Sequence, residues 1–423
     1  MVATVSACGA EKGLISIDQA IEIILQQTQP LSTEKKALQA SLHHYLAEDI
    51  HAQVNLPTFS QSAVDGYALC FHSENAKDPI SQDQISKDQT FEVIGEIRAG
   101  SDQQFQLNHG QAVRIFTGGK IPENTTTVAR QEIVQVNHSS ITITESLRFD
   151  ADIRHVGEEV STGQLLAERG QYLNVGAIAA LSMAGAFDVG VFKRPKIAVL
   201  ITGDEVATSS SDLSMDVGSK VFDANGPLLQ AWCQSNHFQV DILHIADEEE
   251  VVNDTFDRLK TQYDVLITTG GVSVGDYDYV RPCALNNGFA QHFWKVKQKP
   301  GKPLFFASFN NEDHRCYLLG LPGNPAAVYI CMQVYGKLLL NALQGNSNNL
   351  QWFSATLTQP IKADQRERFI RMVLSFDQGR LMVQPLAKQQ SHMLSNLMQA
   401  NCLVRVPSGK VIESGEVVQG HWL

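Results

Sequence analysis

The chain has 423 residues, of which 43% are hydrophobic and 18% charged, a composition typical of folded proteins and foreign to disordered ones. At roughly 150 residues per domain, this length predicts about three domains. Acidic residues outnumber basic ones by 45 to 33, so the formal net charge is −12. That balance argues against a protein that coats nucleic acid, because such proteins neutralise phosphates with Lys and Arg. An anionic small molecule is not excluded, since one local cationic patch is enough to bind it.

Hydropathy and cysteine usage predict a cytoplasmic protein without a membrane span. No uncharged apolar run reaches the ~18 residues of a membrane helix. The nearest stretch, residues 173–192, contains Asn174, Ser182 and Asp188, and it predicts a buried helix followed by a short strand. The seven cysteines are scattered and form no C-x-x-C pair. They predict reduced thiols, with neither a disulfide framework nor a zinc site.

Two helices and a β-rich region are predicted in the first third of the chain. Apolar residues at helical spacing predict a helix over residues 17–28. Ser32 or Thr33 can cap a second helix over residues 33–46. Short β-rich runs broken by Gly, Pro and Asn then extend over residues 49–144.

From about residue 195 onward, aliphatic strands alternate with helices. The strands are predicted at residues 196–202, 239–245, 264–269 and 315–319, and the helices at 227–236, 248–261, 279–287 and 325–343. Such alternation indicates a doubly wound, mostly parallel sheet that is covered by helices on both faces. A polar linker at residues 344–349 precedes a β-rich segment, residues 352–418, which we interpret as a small β domain or barrel.

Polar residues follow the predicted parallel strands, at the edge where open α/β sheets bind their ligands. T-G-D-E at 202–205 follows the first strand, Asp247 the second, and G-G-V-S-V-G-D-Y-D at 270–278 the third. Carboxylates beside a Gly-rich turn suit Mg²⁺ and a phosphate-bearing ligand, because small residues let amide N–H groups approach phosphate oxygens. The acids from Asp247 to Glu250 equally suit a helix N-terminus. We prefer that interpretation for the last two acids and leave it open for Asp247.

Charge is distributed unevenly along the α/β region. Residues 241–278 hold ten acids and two bases, whereas residues 279–311 hold no acid and five bases, among them Lys295, Lys297 and Lys299. If this lysine run is extended, its three side chains project on one face, which suits either an anion clamp or a solvated edge strand. The tight K-P-G-K-P loop that follows favours the clamp.

A second acid-free stretch, residues 378–412, comes soon after Arg366, Arg368 and Arg371. The two cationic regions are distant in sequence, but both could contact the same anion. Between them, L-P-G-N-P at 321–325 joins a predicted strand to a predicted helix as a rigid turn.

Seven short motifs follow one another along nearly the whole chain. They are S-A-V-D-G-Y-A at 62–68, R-I-F-T-G at 114–118, T-G-D-E at 202–205, G-G-V-S-V-G-D-Y-D at 270–278, K-P-G-K-P at 299–303, L-P-G-N-P at 321–325 and S-H at 391–392. In this order they resemble the molybdopterin molybdenumtransferase family, the MoeA-like proteins that include the gephyrin E domain. The α/β domain alone is shared with molybdopterin adenylyltransferases, so the β-rich and C-terminal β domains are the distinguishing features.

The resemblance implies four domains and a shared active site. A discontinuous helical linking domain would take residues 1–46 and 147–176, a β-rich domain 47–146, a molybdopterin-binding α/β domain 177–343 and a C-terminal β-barrel-like domain 344–423. The implied enzyme takes adenylated molybdopterin and molybdate, cleaves the phosphoanhydride with Mg²⁺, and releases AMP and molybdenum cofactor. It would be a homodimer whose site is shared between subunits, and a molybdopterin adenylyltransferase is a candidate partner.

The resemblance also implies roles for individual residues, carried over by motif position. The molybdate-binding residues would be Lys295, Lys299, Arg371 and Ser391, beside Pro322 and Pro325. The residues that cradle the nucleotide–pterin ligand would be Gly270, Gly271, Ser273, Gly275 and Asp247. The Mg²⁺ ligands would be Glu205, Asp247 and Asp278, and Glu159 stands where the family has an Asp. The catalytic set would be Asp65, Thr117, Glu205, Asp278, Lys295 and Lys299, of which the first two come from the partner subunit in this family.

Two other functions are compatible with the same fold. A molybdopterin adenylyltransferase would consume ATP, whereas the preferred enzyme releases AMP only when molybdate is present. A scaffold that has lost catalysis would do neither. The scaffold is disfavoured by the presence of Lys295, Lys299, Glu205 and Asp278.

Overall fold

The computed structural model describes residues 13–71, 84–203, 206–207, 221–272 and 278–423. Three predicted site residues, Glu205, Ser273 and Gly275, lie outside the described residues. The chain forms two compact units, which we call the β unit and the α/β–barrel unit. The β unit contains residues 35–42 and 48–190, and the α/β–barrel unit contains residues up to 34, residues 43–47 and residues 191–423.

A six-stranded sheet organises the β unit. Its strands lie in the order Thr127–Arg130, Gly66–Leu69, Gln111–Ile115, Thr90–Ile97, Ser140–Ile143 and Val134–Asn137. Three short strand pairs complete the unit: Gln84–Ile85 with Leu147–Arg148, Gln61–Ser62 with Ile153–Arg154, and Ile50–His51 with Leu165–Ala167. Successive residues of the strand Gly66–Leu69 enter two different apolar cores, as strand geometry requires. The β-rich character predicted for residues 49–144 is therefore confirmed.

A second six-stranded sheet forms the centre of the α/β–barrel unit. Its strands lie in the order Val240–Ile245, Ile197–Thr202, Val265–Thr269, Arg315–Leu321, Phe305–Asn310 and Ala290–Trp294. The first four strands run parallel to one another. Phe305–Asn310 pairs antiparallel with both of its neighbours, Arg315–Leu321 and Ala290–Trp294. Its helices are Asn225–Ser235, Glu249–Leu259, Val280–Asn286 and the long helix Pro325–Leu343, and a short parallel pair joins Val206–Ala207 to Val221–Phe222.

Helices cover both faces of this sheet. Ile197, Val199 and Ile201 of one strand enter one apolar core, whereas Ala198 and Leu200 enter the other. Every side chain of the strand is buried, which explains the continuous aliphatic sequence that predicted it. The doubly wound, mostly parallel sheet is confirmed.

The long helix Pro325–Leu343 lies in the larger of these cores. It consists of Pro325–Cys331, a π-helical segment Met332–Gly336 and Lys337–Leu343. Among the described residues it is the one helix whose length and apolar composition would allow it to cross a membrane, and 83% of the apolar window is buried inside the protein. A helix at the centre of a core is apolar on all sides for the same reason as a membrane span, since it has no polar surroundings.

A closed barrel forms the C-terminal part. Its strands lie in the order Gln298–Lys299, Glu367–Asp377, Arg380–Pro385, Phe353–Leu357, Val417–Trp422 and Cys402–Val406, and Cys402–Val406 pairs back onto Glu367–Asp377. A short 3₁₀ helix covers Ser395–Met398. The first strand, Gln298–Lys299, comes from the α/β domain, so the predicted lysine loop is itself part of the barrel sheet.

The first predicted helix is confirmed and the second is wrong. Ile17–Gln27 is helical and begins with a capping box between Ser16 and Gln19. Thr33–Ala37 is a strand, followed by the 3₁₀ turn Leu38–Ala40. The strand pairs with Asp188–Phe192, and its side chains alternate between exposed and half-buried. This distant neighbour satisfies the backbone and overrides a weak helical pattern.

The prediction for residues 173–192 is right about the elements and wrong about burial. A helix, Val175–Met183, is followed by the strand Asp188–Phe192. Leu181 is the buried residue of the helix, whereas Val175 is 73% exposed and Phe187, just beyond the helix, is 78% exposed. An apolar sequence alone cannot distinguish a helix in a core from a helix with an apolar exposed face.

Candidate functional site

Two glycines follow the central strand Val265–Thr269 and form what we call the Gly turn, residues 270–272. Gly270 and Gly271 have φ angles of +90° and +65°, which L side chains rarely adopt. A Cβ on Gly271 would lie 2.6 Å from Cγ2 of Val280. The turn therefore requires glycine, and it lies at the carboxyl edge of the sheet, where ligands bind.

The proline turn, residues 321–325, connects the neighbouring strand Arg315–Leu321 to the long helix. The Gly270 N–H donates to the Leu321 carbonyl at 3.1 Å. The Asn225 amide donates to the Gly323 carbonyl at 2.9 Å, and the Ala326 N–H donates to the Ser391 carbonyl at 3.0 Å. The proline turn is thus fixed to the Gly turn, to a helix and to the barrel. Pro322 is buried and Pro325 is half-buried.

Lys295 begins the lysine loop, residues 295–303, and the prediction that its three lysines share one face is wrong. Lys295 has a φ of +76°, and this left-handed residue breaks the strand alternation immediately after Trp294. Lys295 is consequently buried, with 8% exposure, whereas Lys297 and Lys299 are exposed. Its Nζ lies 4.2 Å from the centre of the Trp294 ring.

Lys299 lies where the α/β domain meets the barrel. Its strand runs parallel to the barrel strand, with Lys299 opposite Arg368. The Lys299 Nζ donates to Oδ2 of Asp364 at 2.8 Å, and the Lys299 side chain is 51% exposed. Hydrogen bonding to Lys299 lowers the pKa of the Asp364 carboxyl. Lys299 therefore presents an accessible ammonium whose present partner is a carboxylate of the chain itself.

Arg371, predicted to hold molybdate, is fully buried. Its guanidinium donates to the carbonyls of Lys388, Gln390 and Met393, and its backbone N–H donates to Gln389. These partners form the Ser391 loop, residues 388–393, and the loop carbonyl of Ser391 in turn accepts from the proline turn. Arg371 thus holds the Ser391 loop by its carbonyls, and the half-buried Ser391 lies beside the proline turn.

The described carboxylates at the edge of the sheet do not form a metal-binding cluster by themselves. Asp247 and Asp278 are both half-buried. Within the part of the chain that the structure describes, no three His, Cys, Asp or Glu side chains come together in an arrangement that could hold a metal ion. Glu249 and Glu250 lie in the first turn of the helix Glu249–Leu259, as the helix interpretation predicted.

Buried oxygens without partners mark the same edge. Oδ1 of Asn225 and Oγ1 of Thr268 and Thr269 are buried and have no hydrogen-bond partner in the described structure. Thr268 and Thr269 end the strand that leads into the Gly turn. Buried polar atoms are normally satisfied, so these oxygens are exceptions, and the two threonines are at most 1% exposed.

Asp65 and Thr117 lie in the β unit, and the structure brings them together. Gly66 pairs with Ile115 across two antiparallel strands, which places the residues beyond those ends side by side. The backbone N–H and the hydroxyl of Thr117 both donate to Oδ1 of Asp65, at 2.8 and 2.9 Å. These hydrogen bonds lower the pKa of the Asp65 carboxyl. Glu159, in the same unit, is exposed.

Sequence reasoning missed Asp223, Asn225 and Trp294. Oδ1 of Asp223 accepts from the Gly226 N–H at 3.0 Å, and its Oδ2 lies 3.0 Å from Nε2 of His244. Asp223 thereby fixes the start of the helix whose Asn225 holds the proline turn. The sequence carried a signal for Asp223 and Asn225, because F-D-A-N-G at 222–226 comes at the end of a short strand, and polar residues after strands are candidates for the ligand site.

Three family models match successive parts of the chain. The MoeA N-terminal region (domains I and II) matches residues 15–185, a probable molybdopterin-binding domain matches residues 198–342, and the MoeA C-terminal region (domain IV) matches residues 354–421. These matches cover both described units and the closed barrel.

Named relatives and solved structures agree with these matches. A molybdopterin molybdenumtransferase of Staphylococcus epidermidis is 31% identical over 96% of this chain and 94% of its own. The enzyme of the same name from Haemophilus influenzae is 32% identical over 96% and 98%. The fold is similar to that of a molybdopterin biosynthesis MoeA protein from Pyrococcus horikoshii, with a TM-score of 0.78 and 24% identity over 97% and 100% of the two chains. The chain therefore belongs to the MoeA-type molybdopterin molybdenumtransferases, transferases of molybdenum cofactor biosynthesis.

Proposed function

We propose that this transferase inserts molybdate into adenylated molybdopterin and releases AMP. The observation that carries the proposal is the convergence of the Gly turn, the proline turn and the Ser391 loop, which are joined by backbone hydrogen bonds from Gly270 and Ala326. One of these segments suits phosphate, and the lysine loop pairs with the barrel strand Glu367–Asp377, whose Arg371 holds the Ser391 loop. A phosphate-bearing pterin and an oxyanion can therefore be held next to each other.

Molybdate is assigned to the side of the site formed by the lysine loop, the proline turn and the Ser391 loop. Lys295 and Lys299 would supply charge-assisted hydrogen bonds to the dianion, and the Ser391 hydroxyl a further donor. Pro322 and Pro325 give this side a rigid wall. Arg371 is assigned a supporting role, since its guanidinium already holds three loop carbonyls.

The nucleotide and pterin phosphates are assigned to the Gly turn. Glycines without side chains allow phosphate oxygens to approach the backbone closely, and Gly275 and Ser273 extend the same motif in sequence. Mg²⁺ fits the donor set chemically, because it usually keeps several waters and needs only one or two carboxylates plus substrate phosphates. Asp247, Asp278 and Glu205 are the residues proposed to hold it, and it would neutralise charge on the phosphates as AMP leaves.

The overall reaction is balanced without a redox partner. One P–O bond of the phosphoanhydride is broken by addition of the elements of water, which gives AMP and the pterin phosphate. The two dithiolene thiols bind molybdenum, lose two protons and displace one molybdate oxygen as water. The oxidation state of molybdenum is unchanged, and no side chain of the protein needs to act as a nucleophile.

A homodimer with a shared site is also proposed. Asp65 and Thr117 form a pre-organised pair, and in the proposed dimer they would reach the cleft from the partner subunit. The exposed apolar residues Val175, Met183 and Phe187 of the β unit are suitable for burial between subunits. A cytoplasmic location fits the cysteines, since the six described ones are buried thiols.

The test is an assay of AMP release from adenylated molybdopterin with and without molybdate. We expect release that depends on molybdate, and a loss of at least about a hundredfold in Lys299→Ala, since a charged contact to the reacting anion is removed. Lys297→Ala is the matched control, because Lys297 is an exposed lysine of the same loop, and it is expected to retain wild-type activity. ATP consumption without molybdate would instead indicate the adenylyltransferase, and molybdate binding without turnover a scaffold.

A further inference from the structure

Trp294 is the last residue of the edge strand Ala290–Trp294, and its ring lies close to two cationic side chains. The Lys295 Nζ lies 4.2 Å from the centre of the Trp294 ring. The Arg281 guanidinium carbon lies 4.4 Å from the same centre. Both distances are within the range of cation–π attraction, which is strongest for Trp among the aromatic residues.

Hydrogen bonds and burial fix the Lys295 backbone beside this ring. Its N–H donates to the Leu304 carbonyl at 3.0 Å, and its carbonyl accepts from the Ile15 N–H at 3.3 Å. The residue is left-handed and buried. With the backbone fixed at both groups, the side-chain torsions decide where the ammonium lies, and the indole face favours one arrangement.

The same indole is attached to the Gly turn. Its Nε1–H donates to the carbonyl of Val272 at 2.8 Å. Val272 is buried, and its Cγ1 would lie 2.6 Å from a Cβ on Gly320, so it packs closely on the neighbouring strand. One side chain therefore contacts the turn assigned to phosphate and the lysine assigned to molybdate.

We propose that Trp294 is a positioning residue that orients the Lys295 ammonium through its ring and the Gly turn through its N–H. This inference rests on the proposed function. An indole has neither an acid nor a base that titrates near neutral pH and donates only one N–H, which is already used. Trp294 consequently acts through Lys295 and Val272, and its two contacts can be separated by substitution.

Two variants separate the contacts, with molybdate binding measured by equilibrium dialysis and kinetics measured by AMP release. Trp294→Phe keeps a ring and removes the N–H. We expect a molybdate Kd within about threefold of wild type and a KM for adenylated molybdopterin about fivefold higher, since one hydrogen bond to the turn is lost. Trp294→Leu also removes the ring, and the molybdate Kd should then rise about tenfold.

Trp352→Phe is the matched control, because Trp352 lies near His421 in another part of the unit, and it should leave both constants unchanged. Thermal unfolding checks that each variant is folded. Fluorinated tryptophan, which weakens the ring quadrupole and keeps the shape and the N–H, provides a second test should Trp294→Leu not fold. In protein of wild-type sequence that carries fluorinated tryptophan, the molybdate Kd is expected to rise.

Two outcomes would overturn the inference: a wild-type molybdate Kd in Trp294→Leu or in the fluorinated protein, or equal weakening of molybdate binding by the Phe and Leu variants. The latter would mean that the ring face has no specific effect. If wild-type protein itself neither binds molybdate nor releases AMP, the proposed function fails instead. Because the wild-type measurements come first, the two failures are distinguishable.

Discussion

Two acid-free, cationic segments were predicted to hold the same anion, and the structure gives their cations different environments. In the lysine loop, Lys295 lies against an aromatic ring, and the exposed Lys299 lies against a half-buried carboxylate. In the barrel, Arg371 is fully buried, and its guanidinium donates to three carbonyls of the Ser391 loop. The first segment presents one exposed ammonium, that of Lys299, whereas the guanidinium of the second segment is used inside the protein.

The difference follows from side-chain chemistry and burial. A guanidinium has five donors in a planar fork and can satisfy several carbonyls at once, whereas an ammonium is a compact point charge. A missing acid in the sequence therefore does not show that a cation binds an external anion, because backbone carbonyls can take the place of the acid.

The largest effect is expected for Arg371→Met. Three carbonyls of the Ser391 loop would each lose a charge-assisted hydrogen bond from the buried guanidinium, so the free energy of unfolding should fall by about 3 kcal/mol or more. Denaturant unfolding measures this, with Arg380→Met, an exposed arginine of the neighbouring strand, as the control. Unchanged stability together with loss of molybdate binding would show that Arg371 is a direct ligand after all.

Gly271→Ala is expected to have the next largest effect. Its Cβ would clash with Val280 and the residue would be left-handed, whereas Gly379→Ala at φ +79° meets no atom within 4 Å. The left-handed conformation should destabilise both variants by about 1–2 kcal/mol. The clash with Val280 should destabilise Gly271→Ala alone by about a further 1–3 kcal/mol. Equal destabilisation in thermal unfolding would indicate that the Gly turn adjusts freely.

A smaller effect, dependent on pH, is expected for Asp18→Asn. Hydrogen bonding to Arg405 lowers the pKa of the Asp18 carboxyl, and this exposed carboxylate should contribute less than about 1 kcal/mol. A lowered pKa stabilises the protein above the unfolded value of about 3.9, and the contribution is lost as pH falls through the folded value. The variant should therefore be less stable than wild type at pH 7 and equal to it near pH 2.

The matched control is Glu22→Gln, which removes an exposed carboxylate of the same helix whose partner is the neutral Gln26. A stability difference between Asp18→Asn and wild type that persists at pH 2 would mean that the ion pair is not its source.

The smallest effect is expected for Asp364→Asn. Removing this charge leaves Lys299 without its carboxylate, so the molybdate Kd should fall by about two- to threefold, as expected when an exposed competing ion pair is removed. Equilibrium dialysis measures the change, with Asp377→Asn on the distant hairpin as the control. Weaker molybdate binding in Asp364→Asn would show that the carboxylate positions Lys299 and does not compete for it.

Elements with strong local patterns were predicted well. The helix Ile17–Gln27, the aliphatic strands and the β-rich regions all have a period that local sequence displays. The strand Thr33–Ala37 was missed because its backbone partner, Asp188–Phe192, is about 150 residues away, a neighbour that no local pattern reveals. The four-domain boundaries stay a prediction.

The segments of the proposed site were identified from the sequence, since strand-end polarity and motif order pointed to the Gly turn, the proline turn and the lysine loop. The alternation assumed for the lysine run failed at a single residue, because Lys295 is left-handed. Asn225 and Trp294 were missed because their importance lies in hydrogen bonds to Gly323 and Val272, residues far away in sequence.

By itself, the sequence determined the fold class, the family and the residue types available for an oxyanion and a phosphate ligand. These depend on periodicity, turn residues and motif order, which are local or collinear properties. Only the tertiary structure decided which cations are presented and which are used internally. The reason is that a charge acts according to burial and the groups within a few ångströms, and those neighbours come from distant parts of the chain.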